Sequence, residues 1–477
     1  MTKMIGVIPA AGRGTRAYPY TKGIPKSMLE VAGEPNLQRV IEIMRDQLRI
    51  SEIVIIIGNF GAAIRNYFGD GARFGVRLRY VENDAIDKGL SYSILLSRPY
   101  VNEHFCVILA DECYLGSNHE ELLASDYRNA LATCAVVATN APEQISKNYA
   151  VHVEDGLIRR IVEKPKEPGE ALLGLGTFVF SPEFYDHLEA ALASTGGEPN
   201  DPVSILGRLC HNGARVLPFY LHGRYVNIND RDELNLASYL VRCRHFESRS
   251  LAMVLLMKGS VPDTIRTLAD FGALHRFCQL VLVLPPGVDF PAEAAHGAHC
   301  VVAPSGQYGD MLRAGLDAAE ADILFSAYSD GSFTPGDVPK FLEYLKDADF
   351  VVGTRTTRQL IQQGSNMRGV VRFAHVALAK FLEAVWWSYE PRFTDVGCVY
   401  RALWSSTYRL IRPHLCASGP ESAVEMLVET LKCRKRIIEI PVSFHIRRKG
   451  MKERDQTLRT FFTIMVLILK RRFGSPG

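Results

Sequence analysis

Residues 9–35 read PAAGRGTRAYPYTKGIPKSMLEVAGEP and follow directly on the apolar run at 4–9, MIGVIP. An apolar run that ends in glycines and leads to a helical pattern is a strand, a loop and a helix. Gly12 and Gly14 let backbone N–H groups come close to a phosphate, since no β-carbon stands in the way. Arg16 and Lys26 flank the loop and carry the charge to neutralise a triphosphate. A glycine turn alone is an ordinary connection. The loop, the arginine and the Pro25-Lys26 pair together point to a phosphate site.

Outward from this stretch, Leu37, Val40, Ile41, Met44 and Leu48 recur at helical spacing, and residues 53–57 are an unbroken β-branched run. Runs apolar on both faces belong to parallel strands buried between helices. Further strands are expected at 76–81, 105–110 and 132–138. A charged stretch at 242–249, RCRHFESR, then precedes a second series of the same kind. Its strands are expected at 251–257, 280–284, 300–303, 323–327 and 350–352, with a helix at 308–321 between them. The junction is read near Ser248, giving domains 1–247 and 248–477. Each half carries an apolar strand that ends in a carboxylate, ILAD at Asp111 and SAYSD at Asp330. Ligands of open α/β sheets bind at the carboxyl ends of strands.

A chain of 477 residues exceeds one ordinary core, which agrees with two domains. Hydrophobic residues at 47% and charged residues at 22% exclude gross disorder and a polytopic membrane protein. The formal net charge of +3 is too small to call for a nucleic-acid partner. The surplus sits late: residues 434–472 hold twelve Lys/Arg against three Asp/Glu. Ten cysteines without a CxxC or a Cys/His cluster read as reduced thiols of a cytoplasmic protein. The opening MTKMIGVIPAAG shows no signal-peptide layout. The longest uncharged apolar run, 461–469, is too short to span a bilayer.

The glycine-loop stretch resembles the sugar-phosphate nucleotidylyltransferases (glucose-1-phosphate thymidylyl-, uridylyl- and cytidylyltransferases), whose signature runs roughly GxGTRxxPxTxxxPKxMLxVxGxP. The likeness continues through DKGLSYSILLSRPYVNEHFCVILADE, Tyr149-Ala150-Val151, RIVEKPKEP and LGLGTFVFSPEF. It implies that Ala11, Gly12, Gly14, Thr15 and Arg16 hold phosphates, and that Lys26 stabilises departing pyrophosphate. Gly89 would lie by the base, Glu163, Lys164 and Gly176 would face the sugar phosphate, and Asp111 would hold Mg²⁺. Arg16, Lys26 and Asp111 are the catalytic candidates. The implied partners are a nucleoside triphosphate and a sugar 1-phosphate or another phosphorylated small molecule, with a homo-oligomer as the assembly. The chemistry is an in-line displacement between two anions, so alignment and charge neutralisation suffice.

One departure stands out. The family's second metal-binding Asp, in a Trp-x-Asp-x-Gly segment, is replaced here by Tyr225-Val226-Asn227-Ile228-Asn229-Asp230. Either Asn227 coordinates through its oxygen, or Asp230 takes over, or the metal leans on the nucleotide phosphates.

Residues 251–477 resemble GT-A glycosyltransferases of the dolichyl-phosphate mannose synthase type. The matching pieces are GDMLRAGLDAAEADILFSAYSDGSFTPGDVPKFLEYL, DADFVVGTR, FTDVGCVYRALW and EMLVETLKCRKRIIEIPVSFHIRRKG. The expected fold is therefore α/β, with two consecutive Rossmann-like (GT-A type) domains, each a mainly parallel sheet flanked by helices. The second domain departs from its pattern at two points. Tyr328 stands for the first Asp of Asp-x-Asp, leaving Asp330 as the metal candidate, and Pro285-Pro286-Gly287 replaces an Asp-Asp-Gly-Ser segment. Asp395 and Glu425 are candidates for an acceptor-side or base role, with buried structural roles as the alternative. The second domain either uses the product, with a lipid-phosphate or glycan acceptor, or serves assembly, regulation or membrane placement. The tail at 455–472 reads as a helix packed on its own domain or as a peripheral contact with an anionic membrane. A non-catalytic nucleotide-sugar sensor would have no need of the Arg16 and Lys26 pair.

Overall fold

The computed structural model describes residues 4–12, 14, 21, 23–58, 60–139, 141–167, 169, 171–194, 201–360, 362, 369–389, 391–446 and 457–473. Thr15 and Arg16 lie outside the described residues. The chain divides into two compact units, Met1–Val241 and Arg242–Gly477. The division falls six residues ahead of the junction read from the charged stretch at 248. Arg242 explains the shift, because its guanidinium is paired with the Asp349 carboxylate of unit 2.

Apart from a short antiparallel pair, Glu30–Val31 with Glu34–Pro35, the strands described in unit 1 are, in chain order, β1 (Ile5–Pro9), β2 (Glu52–Ile57), β3 (Arg77–Glu82), β4 (Phe105–Ile108), β5 (Glu112–Leu115), β6 (Ala132–Val137), β7 (Tyr149–Glu154), β8 (Leu157–Glu163), β9 (Leu172–Phe180), β10 (Val216–Tyr220) and β11 (Arg224–Asn227). The main sheet runs β8-β7-β9-β4-β1-β2-β3, with β6 joined to β9 and β10. The block β4-β1-β2-β3 is parallel, and β9 enters antiparallel to β4, β6 and β7. Alternate residues of the apolar strands go to opposite faces. Ile8, Ile53, Ile55 and Ile57 fill one core, while Val7, Val54 and Ile56 fill the other. Two buried faces leave no polar position, which is why these runs are unbroken; each buried side chain contributes about 1.5–3 kcal/mol.

β4 stops at Ile108, two residues short of the expected end. Leu109 N–H donates to Gly176 O at 3.0 Å and Glu112 N–H to Leu109 O at 3.2 Å, so the chain turns there and sets Asp111 in the bend. β5 and β11 then pair as a separate antiparallel ribbon, with Asn227 opposite Glu112.

Unit 2 contains β12 (Leu251–Leu256), β13 (Gln279–Leu284), β14 (His299–Val302), β15 (Ile323–Tyr328), β16 (Phe350–Thr354), β17 (Arg401–Trp404) and β18 (Ile437–Pro441). Their order is β14-β13-β12-β15-β17-β16-β18, parallel except that β17 runs antiparallel to both neighbours. The helix read at 308–321 is Tyr308–Asp317. It ends early because Glu320 N–H bonds to Gln279 Oε1 at 2.7 Å and Asp322 N–H to Ser250 Oγ at 2.9 Å, which steers the chain into β15. The last helix, Thr457–Phe473, buries Ile464 and Ile468 in the core of unit 2. Among the described residues no helix is long and apolar enough to cross a membrane.

Candidate functional site

β1 delivers the chain into the glycine loop, and Ala10 N–H still bonds to Ile56 O at 2.8 Å. Gly14 has φ +62°, and a β-carbon there would lie 3.0 Å from Lys26 Cβ. Glycine both permits this left-handed turn and lets the loop close on the Pro25-Lys26 segment. Thr21 Oγ1 ties the closure by donating to Gly14 O at 2.7 Å. The Lys26 ammonium donates to Asp111 Oδ2 at 2.6 Å and to Asn229 Oδ1 at 3.1 Å. Two motifs 85 residues apart in sequence thus meet at the carboxyl ends of β1 and β4.

The Asp111 bend is held from both sides. Buried Asn36, at the start of the Asn36–Glu42 helix, donates from Nδ2 to Ala110 O at 3.0 Å and to Glu112 O at 2.9 Å. Ile228 N–H donates to Asp111 O at 2.9 Å, which carries Asn227 to the same bend. Next to Asp111, the buried Glu112 carboxylate accepts from Gly176 N–H at 2.8 and 2.9 Å, from Tyr225 OH at 2.7 Å, and from Tyr114 OH. Burial, aided by the Asp111 charge, outweighs the two tyrosine hydroxyls and the Gly176 amide and leaves the Glu112 carboxyl raised to about 7. A β-carbon at Gly176 would lie 2.7 Å from Glu112 Oε2, so only glycine admits the carboxylate to that amide.

Asn227 donates from Nδ2 to Asn148 Oδ1 at 3.1 Å, and its own Oδ1 is buried with no hydrogen-bond partner among the described residues. A buried carbonyl oxygen left without a donor is costly unless a ligand meets it. Asp230 is spoken for: its Oδ1 accepts from Asp232 N–H and Glu233 N–H, both at 3.0 Å, and caps the helix that follows. The Glu163-Lys164 segment joins through Asn148, whose carbonyl accepts from Lys164 N–H at 2.8 Å. Lys164 Nζ reaches Glu163 Oε1 at 3.0 Å, and Glu163 Oε2 accepts from Ser204 Oγ at 3.1 Å.

The bonded network therefore contains Gly14, Lys26, Asp111, Asn227, Glu163, Lys164 and Gly176. Gly89 lies outside it, at the head of the Gly89–Leu95 helix with φ +84°. The turn before it, Ile86–Lys88, approaches Ala11. A β-carbon on Gly58 would lie 2.7 Å from Ala11 O and 2.9 Å from Ile86 Cδ1.

Residues 5–225 match the family described as nucleotidyl transferase. The low-salt glycan biosynthesis nucleotidyltransferase Agl11 of Haloferax volcanii is 30% identical over 264 residues, which are 54% of this chain and 70% of that protein. The chain belongs to the nucleotidyl transferase family. A glucose-1-phosphate thymidylyltransferase of Xanthomonas campestris pv. campestris is 30% identical over 201 residues, 42% of this chain and 67% of that protein. A UTP–glucose-1-phosphate uridylyltransferase of Synechocystis sp. is 28% identical over 232 residues, 46% of this chain and 57% of that protein. Against this last relative, the chain spans little more than half of the relative's length.

Within the nucleotidyl transferase unit, sequence reasoning missed Asn36, Glu112, Asn148, Tyr225 and Asn229. Glu112 carried a signal, a second carboxylate inside the otherwise apolar run FCVILADECYL. Asn36, Asn148 and Asn229 carried none, because their partners are distant in the chain.

His119 supports the same region from behind. It is fully buried, contacts Ser117 Oγ at 2.8 Å and Thr177 Oγ1 at 3.3 Å, and burial pushes its pKa down to about 4. A histidine neutral in the fold and protonated when unfolded costs stability as pH falls from about 6.5 to about 4. The unit 1 transition should lose about 3 kcal/mol across that window. Calorimetry of His119→Gln should show a flatter pH dependence, and an unchanged slope would remove His119 as its source.

In unit 2, Asp330 is buried just after β15, and its Oδ1 accepts from Ser332 N–H at 3.1 Å. Asp395 is fully buried and grips Arg355 at 2.7 and 2.9 Å, with His375 Nδ1 at 3.1 Å. Burial alone would raise its carboxyl, yet Arg355 and His375 hold it well below the ordinary carboxylate range. Glu425 is fully buried too, and accepts from Cys416 N–H at 3.1 Å, Ala417 N–H at 2.9 Å and the Arg471 guanidinium.

Proposed function

We propose that unit 1 transfers the nucleotidyl group of a nucleoside triphosphate to a sugar 1-phosphate and releases pyrophosphate. The observation that carries this reading is the Lys26–Asp111 pair at the carboxyl ends of β1 and β4, beside the glycine loop. The acceptor's phosphate oxygen bonds to the α-phosphorus as the bond to the β-phosphate bridging oxygen breaks, and that electron pair leaves with pyrophosphate. No protein nucleophile is needed. The glycine loop supplies close-approaching amides, Lys26 supplies the cation for the departing group, and Lys164 supplies one for the acceptor phosphate.

The residues present fit Mg²⁺: Asp111 offers a charged oxygen and Asn227 a buried oxygen without a partner among the described residues. When bound, Mg²⁺ neutralises charge on the phosphates. With Asp230 engaged as a helix cap, Asn227 is the residue of its segment left for this role. The reading is tested by assaying pyrophosphate release across nucleoside triphosphates paired with sugar 1-phosphates and other phosphorylated small molecules. Turnover with a sugar 1-phosphate supports it; no release with any pair in Mg²⁺, or release with another phosphorylated small molecule alone, overturns it.

The metal assignment has its own test. Asn227→Asp should keep turnover and lower the Mg²⁺ concentration needed for half-maximal rate, because a carboxylate adds charge to the oxygen. Loss of turnover with unchanged Mg²⁺ dependence would take Asn227 out of the metal site.

For unit 2, the sequence resemblance supports a glycosyltransferase-like GT-A domain with Asp330 at its strand end. The engagement of Asp395 and Glu425 by internal partners favours a unit that serves placement or assembly over one with a second active site built on those two carboxylates.

A further inference from the structure

The Thr457–Phe473 helix has two apolar sides. One faces its own unit, through buried Ile464 and Ile468 and partly buried Phe461, Met465 and Leu467. On the other side Phe462, Val466, Leu469 and Phe473 are 61%, 60%, 40% and 74% exposed. Steps of four, three and four residues align these side chains in one stripe. The Gly369–Val385 helix packs along it and adds Phe373 at 74% exposure, and the turn beyond adds Trp387 at 73%. The carboxyl ends of the two helices meet, with the Arg472 guanidinium 5.3 Å from the Trp386 ring centroid and 5.7 Å from that of Tyr389.

We propose that this face of unit 2 rests on an anionic lipid surface. The inference is independent of the reading of unit 1. Charge selects the occupant. The helix carries Arg459, Lys470, Arg471 and Arg472 and no Asp or Glu. Arg471 turns inward to Glu425 and Glu429, whereas Arg459 and Lys470 are exposed beside the apolar stripe. A second copy docked with its own last helix against this one would set cations against cations, and neither copy of the Thr457–Phe473 helix has a carboxylate to answer them. An anionic headgroup layer supplies the missing charge, and the acyl boundary below it takes the phenylalanines. An exposed tryptophan at the rim suits the same interface. With 17 residues the helix is about 25 Å long and lies flat on such a surface.

The test uses the full chain with vesicles of phosphatidylcholine, alone or mixed with phosphatidylglycerol. Co-sedimentation should occur only with the anionic vesicles and weaken in salt, with a blue shift in tryptophan emission that Trp387→Phe removes. The double variant Phe462→Ser/Val466→Ser should bind about tenfold more weakly with unchanged thermal unfolding, and Lys470→Glu several-fold more weakly. Equal binding to neutral and anionic vesicles overturns the proposal, as does binding that the double variant leaves intact. A concentration-dependent dimer that the double variant disperses would assign the face to a second copy and overturn it as well.

Discussion

Lys26→Ala is expected to lower pyrophosphate release by about 10²–10³-fold, the loss of about 3–4 kcal/mol that follows removal of one fixed donor from a closed, charge-developing site. Lys26 is the cation that the structure aims at Asp111, through a 2.6 Å ion pair, and it also reaches Asn229. Thermal stability should scarcely change. The Asp111 carboxylate keeps 29% exposure, so solvent can replace the lost partner. Asp111→Asn should abolish turnover altogether, since the amide keeps the shape of the bend and removes the charge. A steady-state assay of pyrophosphate release reads both variants. Near-normal turnover in Lys26→Ala would remove the ion pair from the chemistry and leave it a structural tie between the loop and β4.

The second large effect is on stability. Asp395→Asn should destabilise unit 2 by about 3–5 kcal/mol, because it removes the charge paired with a guanidinium that is itself almost wholly buried. Arg355 donates to Asp395 through Nε, Nη2 and its backbone N–H, so one substitution disturbs three bonds. Unit 1 has its own cores, and its site residues all precede Val241. Pyrophosphate release should therefore survive while the unit 2 transition moves down in temperature. Calorimetry with a parallel activity assay distinguishes the outcomes. An unchanged unit 2 transition would mean that Asp395 is not held as the structure shows, and would return it to the list of groups free to act on a substrate.

Much of unit 1 was legible because its signals are local. The β-branched run at 53–57, the glycines after 4–9 and the helical spacing of Leu37 to Leu48 each carry their own period, and the strands formed within a residue or two of the expected ends. The departures from the expected ends, in unit 1 and unit 2 alike, were set from far away. β4 ended early because Leu109 bonds to Gly176, and the 308–321 helix ended early because Gln279 and Ser250 capture the chain beyond it. The tail pattern at 461–469 was ambiguous for the same reason. Its apolar residues occupy both sides of a helix, and only packing decides which side turns inward.

The sequence by itself determined the chemistry available. Backbone amides beside Gly12 and Gly14, a lysine after a proline, and a carboxylate at a strand end are properties of residue types at short spacing, and they survive any arrangement of the rest. Tertiary structure decided which of these groups meet and which are already engaged. Asn227 was expected to offer its oxygen to a metal, with Asp230, three residues on, or the nucleotide phosphates as the alternatives. Folding made Asp230 a helix cap and left Asn227 with a buried oxygen that has no donor among the described residues. Asp395 and Glu425 read either as acceptor-side or base candidates or as buried structural groups, and packing paired them with Arg355 and Arg471. Glu112 was unremarked beside Asp111 until Gly176, Tyr114 and Tyr225 converged on it. A hydrogen bond between residues tens of positions apart leaves no periodic trace in the chain, and burial is a property of the whole packed unit.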